Sequence, residues 1–298
     1  AIKAHQQGIE FMYHIKPDVP RQLIGDHGRL RQILLNLAGN AVKFTEHGEI
    51  VVRAEVVSSS ADTVPEKMVL RFTVSDTGIG IPESKLDNIF ETFTQVDSST
   101  QRKFQGTGLG LSIVKKVAEM MHGDVTVRST HGSGTTFTVT LPFRISPVEP
   151  VPDRHRNLVT SMINVLIIDD NPTNLTILNE LLTKWEFNVV KTDDPANVTS
   201  LMKLHAESGN PFHLAILDYQ MPGMNGVTVA SAIKSDPELE ETEIIVMSSV
   251  GEKRDFDRLK DMGVNGFITK PVGGSTLFNA IMDTLCRSPR ELRVSDCT

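Results

Sequence analysis

Short apolar segments alternate with amphipathic ones along the second half of the chain. Five almost wholly apolar runs, each of five or six residues, read NVLIID, FNVVK, LAILD, EIIVMS and GFITK. Between them, apolar residues recur at helical spacing. Strands that are buried on both faces are apolar at nearly every position, and parallel strands need crossover helices. The pattern therefore predicts an α/β domain over residues 162–288, with a doubly wound, five-stranded parallel sheet.

The first half of the chain mixes strand and helix patterns without strict alternation. Helical spacing predicts helices at DHGRLRQILLNLAGNAVKFT, ESKLDNIFETF and LGLSIVKKVAEMM, the first with Asp26 as its N-cap. Strand patterns occur at GIEFMYHIKPD, GEIVVRAEVV and KMVLRFTVSD, and HGSG joins GDVTVRST to GTTFTVTLP in a predicted hairpin. This order favours an α+β sandwich over residues 1–143. A proline-containing linker is predicted at 144–161 and a polar tail at 289–298.

The composition narrows the classes of protein that fit. A formal net charge of −7 argues against nucleic acid as a partner. Cys286 and Cys297 match neither a disulfide framework nor a metal-binding spacing, so we expect a cytoplasmic location for this part. No apolar run approaches the ~20 residues of a membrane span, and no signal peptide is found. Because the first residue is not Met, we expect a longer parent protein, whose upstream sensing region can include an inner-membrane anchor.

A row of polar residues runs along the first long helix. Asn36, Asn40 and Lys43 lie at i, i+4 and i+7, beside an apolar stripe that contains Ile33 and Leu37. One interpretation is a solvated flank of the helix. The alternative is a row that faces a ligand, since an amide oxygen suits Mg²⁺ and a lysine suits a phosphate.

Two glycine-rich segments follow this helix. DTGIGIP spans residues 76–82, and GTGLGLSIV spans residues 106–114. Each segment alone is compatible with an ordinary flexible turn. The spacing of the glycines in the second segment does not match the dinucleotide fingerprint, and no Lys-Ser/Thr follows as in a Walker loop. The order of a polar helix, Asp-x-Gly-x-Gly and a glycine-rich helix start is more informative than any one of them.

This order resembles the ATP-binding domain shared by histidine kinases, type II topoisomerases, mismatch-repair ATPases and heat-shock chaperones, the GHKL (Bergerat) fold. NLAGNAVKFT looks like the N-box of histidine kinases, DTGIGIP like the first glycine box, IFETFTQVD like the phenylalanine box and GTGLGLSIV like the second glycine box. The other branches place a glutamate, which activates water for hydrolysis, where this chain has Asn36. The resemblance therefore implies a kinase and speaks against a free-standing ATPase.

The resemblance also implies a role for each residue that matches these motifs. Asp76 accepts a hydrogen bond from the adenine amino group, while Gly78 and Gly80 let the backbone approach the base. The implied catalytic residues are Asn36, Asn40 and Lys43. Of these, Asn40 is the Mg²⁺ ligand and Lys43 contacts the phosphates. Further ATP contacts are implied in the lid and at the next helix start: Phe93, Arg102, Lys103, Gly106, Thr107, Gly108, Leu109 and Gly110. Phe90 and Phe93 could instead be core residues.

Polar residues also close the strands of the second half. Asp169 and Asp170 end the first predicted strand, Asp218 ends the third, and Ser248 and Lys270 end the fourth and fifth. Any one of them alone could be an ordinary loop residue. Since the carboxyl ends of the strands line the site of an open α/β sheet, we expect all five to converge.

This set resembles the response-regulator receiver domain, a flavodoxin-like fold. LIIDDNPTN, ILDYQMPGMNG, IIVMSS and GFITKP carry the likeness. It implies that Asp218 accepts a phosphoryl group, that Lys270 and Ser248 support it, and that Phe267 acts as an aromatic switch. The implied Mg²⁺ ligands are Asp169, Asp170, Asp218 and the backbone carbonyl of Gln220. A cis Lys270–Pro271 bond is also expected.

Together the two resemblances imply the back half of a hybrid sensor histidine kinase. In such a protein, ATP phosphorylates a histidine on a dimerisation hairpin outside this chain, and the phosphoryl group passes to Asp218. His5 is a poor candidate for that histidine, because Gln6 follows it where the family has an acidic residue. The expected partners are the hairpin, a downstream histidine-phosphotransfer protein or response regulator, and a second copy in a full-length homodimer. The alternatives are an ATP-binding regulatory module without phosphotransfer and an ATPase or chaperone.

Overall fold

The chain divides into two compact units, Ala1–Val151 and Pro152–Thr298. The computed structural model describes residues 2–60, 67–91, 109–147, 160–249 and 256–287. The division lies within the stretch that the sequence predicts as a linker, most of which is outside the described ranges. The domain bounds given above stay a prediction.

The first unit contains a mixed β-sheet with helices packed on it. Its strands are β1 (Ile9–Ile15), β2 (Leu23–Ile24), β3 (Gly48–Ser60), β4 (Lys67–Asp76), β5 (Asp124–Thr130) and β6 (Gly134–Ile145). Its described helices are α1 (Ile2–Gln6), α2 (His27–Phe44), α3 (Glu83–Leu86) and α4 (Gly110–Met120). The strand order is β1-β3-β4-β6-β2, and β5 also pairs with β6. β1 runs parallel to β3, and the other pairs are antiparallel.

One face of this sheet forms the core with α2 and α4. β4 buries every second residue from Met68 to Val74, and β6 does the same from Phe137 to Phe143. These side chains share one hydrophobic cluster with Ile33 and Leu37 of α2 and Val114 of α4. Alternation in the strands and a stripe on each helix are what a two-layer packing requires. The predicted α+β sandwich is confirmed.

Three short elements differ from the sequence prediction. α1 and β2 were not predicted, because five and two residues are too few to establish a period. In the segment predicted as a helix over 83–93, of which residues 83–91 are described, the helical residues are Glu83–Leu86. Pro82 at its N-cap has no side-chain group that could cap the helix, and Ile89 is buried in the core, so tertiary packing sets the course of the chain after Leu86.

The second unit alternates strands with helices. Its strands are β7 (Asn164–Ile168), β8 (Asn188–Thr192), β9 (Leu214–Asp218), β10 (Glu243–Ser248) and β11 (Gly266–Thr269). Its helices are α5 (Pro172–Lys184), α6 (Val198–Glu207), α7 (Gly226–Lys234), α8 (Phe256–Asp261) and α9 (Gly274–Arg287). All strand pairs are parallel, in the order β11-β10-β9-β7-β8. This is the flavodoxin-like order, and it confirms the predicted doubly wound sheet.

Both faces of this parallel sheet are buried. In β7, Leu166 and Ile168 pack with α6 and α7, whereas Val165 and Ile167 pack with α5 and α9. β9 is buried at every position. Burial on two sides explains why these strands appear in the sequence as continuous apolar runs.

The longer helices of the described ranges pack apolar side chains against a sheet. The longest, α2, has 18 residues and carries polar side chains along much of its length. No helix in these ranges combines the length and the hydropathy that crossing a membrane requires.

Truncating a buried leucine should destabilise the second unit. Leu182 of α5 is fully buried, whereas Leu204 of α6 is 60% exposed. We expect Leu182→Ala to lower the free energy of unfolding by about 2–5 kcal/mol, because it leaves a cavity, and Leu204→Ala to lower it by less than about 0.5 kcal/mol. Trp185, the only tryptophan, packs on Phe278 with ring centroids 4.9 Å apart, so its fluorescence in a urea titration reports on this unit. Equal losses in the two variants would contradict the packing.

Candidate nucleotide and phosphoryl-acceptor sites

The segment that follows β4 is a loop anchored on three neighbouring elements. Ile79 N donates to Phe44 O at the end of α2 over 3.2 Å, and Gly132 N in the β5–β6 turn donates to Ile79 O over 2.7 Å. Thr77 Oγ1 accepts from Glu49 N at the start of β3 over 3.0 Å. The fold itself therefore sets the position of this loop.

Two glycines in the loop lie where a side chain would collide with backbone. A Cβ on Gly78 would overlap Phe44 O and would come within 2.9 Å of Asp76 Oδ1. Gly80 has a φ of 67°, and a Cβ there would overlap the carbonyl of Thr130. The glycines thus allow close packing of the loop on its own domain, in addition to the ligand approach that the sequence predicts.

Asp76 ends β4 at the start of this loop. Its Oδ1 accepts from Gly78 N over 3.0 Å, and Thr135 is its cross-strand partner in β6. Burial raises the pKa of Asp76 above its usual value, and the hydrogen bonds from the amides of Gly78 and Thr135 oppose that rise. A carboxylate has about four acceptor positions, so Asp76 keeps capacity for a further donor such as an exocyclic amine.

The asparagines of α2 face the start of α4. A Cβ added to Gly110 would lie 3.9 Å from both Asn36 Oδ1 and Asn40 Nδ2. Both asparagines are partly buried, which argues against the solvated-flank interpretation. Lys43 lies one turn further along, with its Nζ 4.9 Å from the centroid of the Phe44 ring. The polar row therefore adjoins a helix N-terminus, which favours anions.

Part of the predicted ATP site falls outside the described residues. The positions concerned are Phe93, Arg102, Lys103, Gly106, Thr107 and Gly108. Gly110 is the first residue of α4, and Leu109 is its N-cap. Phe90 packs edge to face on Phe137 with ring centroids 6.3 Å apart, in keeping with the core role considered for it.

Three of the predicted strand-end residues of the second unit are in direct contact. Lys270 Nζ lies 2.8 Å from Asp218 Oδ2 and 3.3 Å from Asp169 Oδ2. Both carboxylates are buried, and the lysine side chain is 12% exposed. Asp169 also accepts from Asn174 Nδ2 over 3.1 Å and from Asn171 N over 2.9 Å. These donors offset the cost of burying two like charges close together.

The other predicted members of the acceptor site surround this cluster. Ser248 follows Met247, the register partner of Asp218, and its Oγ is buried without a hydrogen-bond partner among the described residues. Asp170 and Gln220 line a cavity of about 410 Å³. The five strand-end residues therefore gather at one edge of the sheet, as the topology requires.

Two further predictions concern the end of β11. The Lys270–Pro271 bond is cis, as predicted. Phe267 is partly buried against the cluster that contains α6 and α7, and its role as an aromatic switch stays a prediction.

The donor chemistry of both sites suits Mg²⁺, which prefers oxygen ligands. Asp169, Asp170 and Asp218 supply carboxylate oxygens to the acceptor site, and Asn36 and Asn40 supply amide oxygens to the nucleotide site. In the acceptor site, the hydroxyl of Ser248 is buried, and two carboxylates contact the single ammonium group of Lys270. Both features are consistent with the binding of a charged ligand. Which of these residues ligate the metal stays a prediction.

Sequence reasoning missed several polar residues that hold these sites. Ser129 Oγ accepts from Ile81 N over 2.7 Å, but a serine in a strand of alternating polarity carries no signal of such a contact. Asn174 donates to Asp169, and the signal that could have found it is the N-cap at Asn171, whose Oδ1 accepts from the amide of Asn174.

Comparison with known proteins identifies both units. Residues 25–145 match the family described as Histidine kinase-, DNA gyrase B-, and HSP90-like ATPase, and residues 165–282 match the Response regulator receiver domain family. The Autoinducer 2 sensor kinase/phosphatase LuxQ of Vibrio parahaemolyticus is 34% identical over 283 residues, which are 93% of this chain. The chain therefore combines an ATPase domain of the histidine kinase type with a response regulator receiver domain.

Two other relatives of this chain extend the comparison. The Sensory/regulatory protein RpfC of Xanthomonas campestris pv. campestris is 32% identical over 320 residues, 97% of this chain and 43% of RpfC. The Aerobic respiration control sensor protein ArcB of Escherichia coli is 33% identical over 275 residues, 91% of this chain and 34% of ArcB. The match covers 32% of LuxQ. The chain therefore spans between 32% and 43% of the length of these relatives.

A solved structure of similar fold covers residues of both units. It is described as full-length ShkA in complex with AMPPNP, with a TM-score of 0.66 and 27% identity. The match covers 95% of this chain and 53% of ShkA.

The raised pKa of Asp76 predicts a pH-dependent contribution to stability. The folded chain binds this proton more tightly than the unfolded chain, so the contribution falls as the pH rises from the usual Asp value through the folded pKa. Asp76→Asn removes this titrating group. The free energy of unfolding of the variant, relative to that of the wild type, should therefore increase as the pH rises over this range. Hydrogen exchange of the β4 amides measures the change, and the ¹³C shift of the Asp76 carboxyl gives its pKa. A midpoint at or below the usual Asp value would contradict the burial described.

Proposed function

We propose that the first unit binds ATP and that Asp218 of the second unit accepts the phosphoryl group in a two-component phosphorelay. A histidine on a dimerisation hairpin outside this chain takes the γ-phosphoryl group: the P–O bond to ADP breaks as a P–N bond forms. That P–N bond then breaks as an oxygen of Asp218 bonds to phosphorus. The carrying observation is that one chain contains both the anchored loop of Asp76 and the buried Asp218–Lys270–Asp169 cluster.

The adenine end of ATP is assigned to Asp76 and its loop. A carboxylate opposite the adenine amino group accepts a hydrogen bond from it, whereas the carbonyl of guanine at that position would be repelled. Gly78 and Gly80 have no side chains, so the backbone of the loop can pack closely on its own domain. The same lack of side chains is proposed to let the backbone approach the base. The AMPPNP complex of the similar ShkA supports a nucleotide in this family of domains.

The phosphate end is assigned to the polar row of α2 and the start of α4. Asn36 and Asn40 adjoin Gly110, so anionic oxygens held there meet both amide groups and the backbone N–H groups of a helix N-terminus. Lys43, one turn further along α2, supplies a cation for the phosphates. Mg²⁺, with Asn40 as its proposed ligand, would screen the phosphate charge when bound.

The acceptor chemistry is assigned to the cluster around Asp218. Lys270 contacts the Asp218 oxygen at 2.8 Å, where it can neutralise charge on an incoming phosphoryl group. The buried hydroxyl of Ser248 can donate to a phosphoryl oxygen, which would satisfy it. Asp169, Asp170, Asp218 and the carbonyl of Gln220 are the proposed Mg²⁺ ligands. The aspartyl phosphate would then pass to a separate histidine-phosphotransfer protein or response regulator.

Phosphorylation of a supplied hairpin domain tests the whole proposal. With labelled ATP, the chain should transfer label to the histidine of that hairpin and then to its own second unit. ATP binding without any transfer at saturating ATP would favour a regulatory module. Steady hydrolysis without a histidine substrate would favour an ATPase.

Removing the charge of Asp76 should weaken ATP binding. We expect Asp76→Asn to lose about 1–3 kcal/mol of binding free energy, the scale of a buried hydrogen bond to a charged group. Isothermal titration with AMPPNP measures the loss. Asp124→Asn, the same change at an exposed site at the far end of the hairpin, serves as the control and should leave the affinity unchanged. Equal affinities for all three proteins would refute the adenine assignment.

Removing the acceptor carboxylate should abolish labelling of the second unit. Asp218→Asn leaves ATP binding intact, because Asp218 lies in the other unit, but an amide cannot form the acyl phosphate. Peptide mapping of the labelled chain after incubation with the phosphorylated hairpin measures the effect. Asp283→Asn, an exposed aspartate of α9, is the matched control. Label that persists in Asp218→Asn would move the acceptor elsewhere.

A further inference from the structure

The hydroxyl of Ser129 in β5 lies between the adenine loop and the strand that follows the β5–β6 turn. Ile81 N, in the last part of the loop, donates to Ser129 Oγ over 2.7 Å. Ser129 Oγ donates to Gly134 O over 2.9 Å and lies 2.9 Å from Thr135 Oγ1. One side chain of β5 therefore contacts both the loop after β4 and the first two residues of β6.

These contacts use the whole hydrogen-bonding capacity of the hydroxyl. A serine hydroxyl has one donor and two acceptor positions. The donor is directed to Gly134 O and one acceptor position to Ile81 N, so Thr135 must be the donor in the remaining contact. Gly134 and Thr135 are buried, and a loss of this hydroxyl would leave their polar groups short of a partner.

Ser129 thereby links the two segments that define the position of the Asp76 carboxyl. On one side is the loop that contains Gly78, whose amide binds Asp76 Oδ1. On the other is Thr135, the cross-strand partner of Asp76, whose amide also hydrogen-bonds this carboxylate. The backbone bond from Gly132 N to Ile79 O holds the middle of the loop, whereas the bond to Ser129 holds its end.

We infer that Ser129 is a positioning residue for nucleotide binding, an inference that rests on the proposed ATP site. Its hydroxyl keeps the end of the glycine loop at a set distance from the Asp76 carboxylate. Without the hydroxyl, the end of the loop is no longer held in place. The loop must then become ordered when the nucleotide binds, which costs binding free energy. The effect falls on affinity and spares the transfer step, because Ser129 contacts the adenine loop, whereas the phosphate-end residues belong to α2 and α4.

Two variants of equal shape isolate the hydroxyl. Ser129→Thr keeps it and Ser129→Val lacks it, and Ser129 is partly exposed, so a further methyl group has room. We expect AMPPNP to bind the Thr variant nearly as well as the wild type and the Val variant about tenfold more weakly. In transfer to the supplied hairpin, the KM for ATP should rise by the same factor in the Val variant, with kcat unchanged. A purely structural role would lower the amount of active protein, and hence kcat, without changing KM.

The outcomes separate this inference from the proposed function. A wild type that does not bind AMPPNP would overturn the ATP site itself. Binding by the wild type with equal affinities for the Thr and Val variants would overturn only the role of Ser129. A check without any variant is the hydrogen exchange of the Ile81 amide, which should be as slow as that of the β5 amides. Fast exchange of this amide would also overturn the inference, even if the Val variant fails to fold.

Discussion

Carboxylates held at the ends of β-strands are the constraint on which both proposed sites depend. A buried carboxylate is costly unless donors reach it, and each unit solves this in its own way. Asp76 receives backbone amides from its loop and from the neighbouring strand, and its pKa stays raised by burial. Asp218 and Asp169 share the ammonium of Lys270. In both cases the protein supplies enough donors to hold the charge while leaving acceptor positions for a ligand or a phosphoryl group.

Backbone contacts anchor the loop of the first of these sites. The glycine loop is bound to the end of α2, the start of β3 and the β5–β6 turn, and the glycines are what allow these approaches. A loop ordered by its own domain avoids part of the ordering cost of ligand binding. The hydroxyl of Ser129 extends the same principle to the end of the loop. The second site is built on strand ends, which a parallel sheet buried on both faces holds in place.

The sequence was most informative where a hydrophobic pattern extends over many residues or where the parallel sheet allows only one arrangement of the strand ends. The receiver strands were predicted to within a residue or two, because burial on both faces leaves only apolar residues in them. The convergence of Asp169, Asp218 and Lys270 followed from the parallel topology alone. The helix expected over 83–93 was wrong for residues 87–91, because the burial of Ile89 overrides a local helical pattern there. α1 and β2 are too short for any pattern to reveal.

Residue types and their order determined which groups are available: two glycine segments, a row of asparagines with a lysine, and carboxylates at successive strand ends. These are local properties, since spacing along one helix or one strand is set by its own geometry. The tertiary structure alone decided which partners satisfy them. Ser129 reaches Ile81 across 48 residues, and Lys270 reaches Asp169 across 101. Contacts between segments so far apart depend on how the sheets are assembled, and no local pattern encodes them.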